Sequence, residues 1–347
     1  LSASQRYHRQ TQFGPIGNAG QQRLAGAHVS ILGCGALGSV AAEILARSGV
    51  GRLRLIDRDV VEWSNLQRQS LYDERDAREG RAKAAAACEK LATINSTLEF
   101  DPHVVDVTAD NISSLLAATD LVIDATDNFS LRFLLNDWSL LTQTPWVHGG
   151  CVGASGQVRF FSGKGQPCFR CFVPELPSLA AMETCDTAGV VASATHVIAS
   201  LQAGEAIKWL CGDHEAIETK LLSLDLWHHR IRRLDCDPAR LQHCRACRHR
   251  EWDFLAGDSR VGSERIVALC GRDAFQFAAA PQGNELNLSQ IATRWNGLGR
   301  VQCTRFFARL FPDDQHSLTI FRDGRTVVSG TTNVQRARAL YDRFIGS

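Results

Sequence analysis

Two sets of residues in this chain have the types and spacing to do chemistry. In GCGALG, Gly33, Gly35 and Gly38 have the spacing that lets a strand turn tightly, brings backbone close to phosphate and packs a helix against the strand, with the helix N-terminus facing the anion. Asp57 lies 19 residues beyond Gly38, where a carboxylate can accept ribose hydroxyls. Alone, that pattern suits a NAD-dependent dehydrogenase equally well. A dinucleotide diphosphate does not call for the polar groups further along the chain: Asn65, Arg68 and Gln69 in DRDVVEWSNLQRQSLY, Lys83 opening a helix in GRAKA, and Asp127 with Asn128 closing a strand in DATDN. These supply cations for a triphosphate and a carboxylate for Mg²⁺, which proteins hold through one or two carboxylates plus substrate phosphates. Taken singly, Arg68 and Lys83 read as solvated surface charges and Asp127 as a helix N-cap before NFSLRFLLN. Converging at strand ends of one sheet, they read as a nucleotide site.

The second set is sulfur. Cys168-Phe-Arg-Cys171 and Cys244-Arg-Ala-Cys247 can each offer two thiolates, and four close a tetrahedral structural zinc site. The 72 residues between the pairs exceed a zinc ribbon's spacing, so the residues alone leave two redox CxxC motifs open. Cys185 lies in the Pro-bearing segment PELPSLAAMETCDTAG, a loop of the kind where functional residues collect. Cys34, Cys88, Cys151 and Cys211 read as small core thiols, and His196 as a packed helix histidine. Cys270 in LCGRDAFQF invites a sulfur-accepting loop, but the residues after it read as a strand, and a structural or docking role is the safer reading.

Strands and helices must place these groups. HVSILG, RLRLID, LVIDAT and PWVHGG are short apolar strands alternating with helices at Leu37–Arg47, stopped by Gly49, and near Lys83–Leu91. This is a doubly wound, mostly parallel α/β sheet, with its ligands at the strands' carboxyl ends. GQVRFF adds a strand, 190–210 a long helix, and KLLSLDLW with RIRRLDC a strand pair. Residues 1–250 form this domain. The polar run after His249 is a linker over 251–262, and 263–347 a small α+β domain with a strand near Ile266–Phe277, a helix at Leu288–Trp295, a hairpin turning at Asp323-Gly324 and a closing helix at Asn333–Phe344. The 347 residues, 44% of them hydrophobic, suffice for a real core. A formal net charge of +1 gives no global pull toward nucleic acid or anionic membrane. With no apolar span and no signal-peptide core, the expected location is the cytoplasm, although a chain beginning at Leu1 weakens statements about targeting.

RYHRQ, GCGALG, DRDVVEWSNLQRQ, GRAKA, DATDN, the paired CxxC motifs and SLQAGEAIKWL, spread over residues 6 to 249, together resemble the ThiF/MoeB family of sulfur-carrier adenylyltransferases, relatives of ubiquitin-activating enzymes. The resemblance implies a Rossmann-like fold carrying a structural Zn²⁺ at the four CxxC cysteines. It implies ATP and Mg²⁺ as cofactors: Asp57 would hold the ribose, Asp59, Asn65, Arg68, Gln69 and Lys83 would line the ATP site, and Asp127 would bind the metal. Arg9 would reach across a homodimer interface into the partner's site. The substrate would be a ubiquitin-like sulfur carrier ending in Gly-Gly, with a sulfurtransferase or cysteine desulfurase as a further partner. Cys185 falls at the family's crossover-loop cysteine, covalently engaged in some members and dispensable in others. VVASATHVIAS departs from the pattern, lacking the usual glycine and proline. A noncatalytic partner subunit would be expected to have lost the triphosphate residues, which are intact here. A tRNA-modifying dehydratase relative fits less well, because the zinc cysteines favour the carrier-activating branch. Thiamin, molybdopterin, tRNA-thiolation and cysteine pathways all remain open.

Overall fold

HVSIL folds as β1 (His28–Leu32), buried at all five positions as a strand covered on both faces must be. The computed structural model describes residues 3–177, 188–256, 266–269, 273–278 and 286–345, in two compact units, Leu1–Asp258 and Ser259–Ser347. In the first unit β1 is joined by β2 (Arg52–Ile56), β3 (Glu99–His103), β4 (Leu121–Asp124), β5 (Trp146–Val152), β6 (Ser155–Phe161), β7 (Leu221–Asp225) and β8 (Arg230–Leu234). The sheet order is β3-β2-β1-β4-β5-β6-β7-β8. Its first five strands are parallel and the last three antiparallel. The central sheet is therefore mostly parallel, and chain order reverses between β1 and β4, which opens a crevice beyond their carboxyl ends.

The helices of this unit are α1 (Ala3–Arg6), α2 (His8–Thr11), α3 (Gly17–Gly26), α4 (Ala36–Ser48), α5 (Glu74–Glu79), α6 (Lys83–Ile94), α7 (Ile112–Leu115), α8 (Phe129–Thr142), α9 (Phe169–Phe172), α10 (Ala192–Cys211) and α11 (Pro238–Gln242). Strand alternation sorts the two cores. Val29 and Ile31 face Leu45 of α4, Ala87 of α6 and Ala203 of α10, while Leu32 and Ile56 face Phe133 and Trp138 of α8. Gly49 ends α4 in the left-handed region at φ +83°, its N–H donating to the carbonyls of Leu45 and Ala46, as its place after the helical pattern implies.

The second unit holds β9 (Ile266–Leu269), β10 (Ala274–Phe277), β11 (Arg300–Cys303), β12 (Phe307–Phe311), β13 (Ser317–Phe321) and β14 (Thr326–Ser329), with α12 (Leu288–Arg294) and α13 (Val334–Phe344). Its antiparallel sheet runs β11-β12-β13-β14-β10-β9. The strand expected near Ile266–Phe277 is two paired antiparallel strands, Ile266–Leu269 and Ala274–Phe277; Asp273, just before the second, turns its carbonyl to the N–H groups of Gly330 and Thr331. The start of the expected linker also differs. Phe254 and Leu255 pack on the α8 core, and the Phe254 N–H donates to Asp137 Oδ2 at 3.2 Å, since two large apolar side chains gain more from burial than from solvent. Among the described residues no helix is long and apolar enough to cross a membrane.

Candidate active site

The glycine turn is built by backbone contact. Gly33 has φ +86°, and an added Cβ would lie 2.8 Å from the carbonyl oxygen of Ala125; one at Gly38 would lie 1.8 Å from the carbonyl oxygen of Gly33. The turn is thereby pressed between the start of α4 and the residues after β4. Asp57, just past β2, braces it from the other side: Oδ2 accepts the Cys34 N–H at 2.7 Å and Oδ1 the Asp59 N–H at 2.7 Å. Each oxygen keeps a lone pair for a further donor. Burial pushes the Asp57 carboxyl up against the pull of Lys83, and Asp59 adds to the rise.

Lys83 stands at the first turn of α6. The Lys83 N–H donates to the Asp59 carbonyl at 2.9 Å, which sets the two side chains opposite each other, Nζ 3.3 Å from Asp59 Oδ2. The lysine side chain is 5% exposed and the aspartate 29%, so this pair is held at the rim by packing rather than free in solvent. The buried Tyr72 hydroxyl lies 2.7 Å from the Cys34 carbonyl and 3.2 Å from that of Lys83, joining the α6 start to the glycine turn. Tyr72 carried no signal beyond closing the motif QRQSLY.

The segment between β2 and α5 brings the other polar groups. Asn65 is buried in a short 3₁₀ turn, where its Oδ1 accepts the Glu62 N–H at 3.0 Å. The next turn buries Gln69, whose Nε2 is 3.7 Å from where a Gly35 Cβ would be; Gln69 Oε1 has no hydrogen-bond partner among the described residues. Arg68 is half-buried and donates to the Ser64 carbonyl at 2.7 Å. On the β4 side, Asp127 is exposed two residues beyond Ala125. It acts on Arg58, whose burial favours the neutral form but whose pKa is raised by Asp106, Asp59 and Asp127 together. The N-cap of α8 is Asn128, accepting the Leu131 N–H at 3.3 Å. The helix-cap reading of Asp127 is thus overturned by a shift of one residue, which leaves the Asp127 carboxylate clear of the cap.

The family model described as the ThiF family matches residues 7–246. This chain belongs to the ThiF family. The chain is 37% identical over 343 residues, 98% of its own length and 99% of the relative's, to the sulfur carrier protein ThiS adenylyltransferase of Bacillus subtilis. It is 37% identical over 242 residues to the adenylyltransferase and sulfurtransferase MOCS3 of Anopheles gambiae, covering 70% of this chain and spanning about half, 54%, of that protein. Among solved structures, E. coli MccB with MccA-N7isoASN matches with a TM-score of 0.62 and 22% identity, over 72% of this chain and 75% of that one; that likeness concerns the fold.

This ThiF-family chain also gathers the four cysteines of its CxxC pairs. Cys168 caps α9 and Cys171 lies within it. Sγ separations are 3.9 Å for Cys168–Cys171, 3.6 Å for Cys168–Cys244 and 3.5 Å for Cys171–Cys247, and the four sulfurs lie within 4.8 Å of one another. A tetrahedral ion with Zn–S bonds of about 2.3 Å needs sulfur–sulfur edges of about 3.8 Å, so the cluster could hold zinc. Asn136 and Asp137 of α8 anchor the first knuckle. Asn136 Oδ1 accepts the Phe169 N–H at 2.9 Å, and Arg170 lies 3.6 Å from Asp137 and 3.4 Å from Asp253.

Arg9 is not brought to the rim. It is exposed on α2, whose Gln10 donates to the Ser48 carbonyl at 2.8 Å, at the C-terminal end of α4. The glycine turn is at the other end, a helix of 13 residues away, or roughly 20 Å. Cys185 and Cys270 lie outside the described residues. His196 Nδ1 is 2.8 Å from the Ala192 carbonyl of its own helix, in keeping with a packed helix residue.

Proposed function

We propose that this chain uses ATP to adenylate the C-terminal glycine carboxylate of a ubiquitin-like sulfur-carrier protein. The observation that carries the reading is the rim itself: Asp57 clamped to the glycine turn, and Lys83 paired with Asp59 beside it. The full-length likeness to a ThiS adenylyltransferase supports it. In the reaction a carboxylate oxygen attacks the α-phosphorus, the α–β phosphoanhydride bond breaks, and pyrophosphate leaves with its electron pair. Two anions must meet, so the site's work is positioning and charge neutralisation. Asp57 receives the ribose hydroxyls. Lys83 and Arg68 face the phosphates. Asp127, exposed and clear of the helix cap, is a donor of the kind Mg²⁺ takes together with phosphate oxygens; the ion would lower the repulsion between the two anions.

The four CxxC cysteines would hold a structural Zn²⁺, joining α9 to the end of the first unit. Arg9, remote from its own glycine turn, would serve the site of the second copy in a homodimer. The carrier would dock on β8. This edge strand is exposed at all five residues, next to Trp227 at 71% exposure, and the β7–β8 turn lies beside the β5–β6 turn, the Leu226 N–H donating to the Ala154 carbonyl at 3.0 Å. An edge that pairs with no further strand among the described residues, turning at the site's end of the sheet, suits strand addition.

The test is ATP–pyrophosphate exchange screened against carriers ending in Gly-Gly. Exchange that depends on one such carrier establishes both the reaction and its substrate; no exchange with any of them overturns the reading.

A further inference from the structure

We infer that Thr126, gripped by the buried pair Asp124 and Arg132, fixes where the Asp127 carboxylate sits; the inference rests on the reading of Asp127 given above. Asp124 ends β4 and is 1% exposed, a costly place for a charge. Its Oδ1 accepts both the Thr126 hydroxyl at 2.7 Å and the Thr126 N–H at 3.1 Å. Its Oδ2 lies 2.7 Å from His148 Nδ1 and 3.3 Å from Arg132 Nε. Burial alone would raise the Asp124 carboxyl, but Arg132 and His148 outweigh it and hold the group down. Burial lowers the His148 pKa, and Nε2 lies 3.3 Å from Gln157 Nε2. A neutral ring that donates through Nδ1 and accepts through Nε2 satisfies both contacts.

The other end of Thr126 is held as well, because Arg132 Nη2 donates to the Thr126 carbonyl. Asp124's own carbonyl accepts Gln202 Nε2 at 2.7 Å, which ties the strand end to α10. N–H, hydroxyl and carbonyl of Thr126 are all engaged, and Asn128 is fixed as the α8 cap. Asp127 therefore stands between two anchored residues with its side chain outward. Packing alone would be served by an apolar residue at position 124. A buried charge whose four contacts include two to one loop residue is suited to orienting that loop, and Thr126 acts as a positioning residue.

The full-length protein tests this with Thr126→Val, which keeps the shape and removes the hydroxyl, Thr126→Ser, which restores it, and Asp127→Asn as the reference. Calorimetry measures binding of the non-cleavable α,β-methylene analogue of ATP with and without Mg²⁺, alongside the kcat and KM of exchange and the melting temperature. For Thr126→Val the expected result is an about tenfold loss in Mg²⁺-dependent affinity and in kcat, Mg²⁺-free binding unchanged, with Thr126→Ser returning to within about twofold of wild type. Equal losses with and without Mg²⁺ would mark a general structural defect and overturn the inference. So would wild-type behaviour of Thr126→Val while Asp127→Asn is impaired, which leaves the proposed function standing. Unimpaired exchange in Asp127→Asn removes the reading of Asp127 and this inference with it.

Discussion

Gly38 leaves no room for a side chain, whereas Gly26 at the end of α3 has nothing within 4 Å of an added Cβ. Gly38→Ala should accordingly cost about 3 kcal/mol or more by overpacking against backbone, while Gly26→Ala should be neutral or stabilising by up to about 1 kcal/mol; denaturant midpoints check both. Arg68→Ala and Asp127→Ala should leave the melting temperature close to wild type, since one is half-buried and the other exposed. Their exchange rates should fall by orders of magnitude, because a charge pair at 4 Å is worth roughly 4 kcal/mol at an effective dielectric of 20. The positions of the glycine turn, Asp57 and Lys83 were legible because each is a polar or special residue set directly against an apolar run, and Asp127 because the DATDN stretch follows the apolar strand LVI. The link from Asp124 to His148 was not. It depends on the register that pairs Asp124 with His148 across β4 and β5, and nothing local in either segment announces that pairing. The helix-cap reading of Asp127 likewise failed by a single residue of helix start, the cap being Asn128, which composition does not decide.

At the level of elements, the buried strands and Ala-rich helices of the first unit were readable from hydrophobic runs. β3 was not, since EFDPH is polar, contains a proline and is largely half-exposed; it is a strand because β2 offers it an edge. What holds that edge is partly charge. Burial works to raise the Asp101 carboxyl, but hydrogen bonds from Arg54, His103 and Arg52 hold it down to about 2. A carboxyl depressed in the folded state contributes stability that is present above its ordinary range and lost as pH falls toward 2. Asp101→Asn should therefore lower neutral-pH stability by roughly 2 kcal/mol and flatten the stability profile between about pH 4 and 2, as pH-dependent unfolding will reveal. For the cysteine cluster, metal analysis should find about one zinc per chain, and Cys244→Ser should lower both zinc content and melting temperature. On β8, Ile231→Glu should raise the KM for the carrier and leave nucleotide binding unchanged, as Ile231 is 64% exposed and lies in the outermost strand.

Across the whole molecule, the ThiF match ends at residue 246, whereas the likeness to the Bacillus protein continues over 98% of the chain. The second unit is thus shared with that relative, and its six-stranded sheet was only half legible: the Asp323-Gly324 turn stands out, with Gly324 at φ +85°, but β11 and β12 were missed although Asn296-Gly297 precedes the one and Pro312-Asp313 follows the other, because RVQC is a short edge strand, half polar and exposed at both ends, without an apolar run to mark it. The placement of Arg9 carries the longest reach. In the homodimer proposed above, a residue held at the far end of α4 would complete the partner's centre and not its own, so defects at Arg9 and at Asp127 would fall in different copies. Arg9→Ala and Asp127→Ala proteins, each inert by itself, should complement one another once their subunits are exchanged. Random reassortment of equal amounts leaves one intact centre in every hybrid and none elsewhere, restoring about a quarter of full activity.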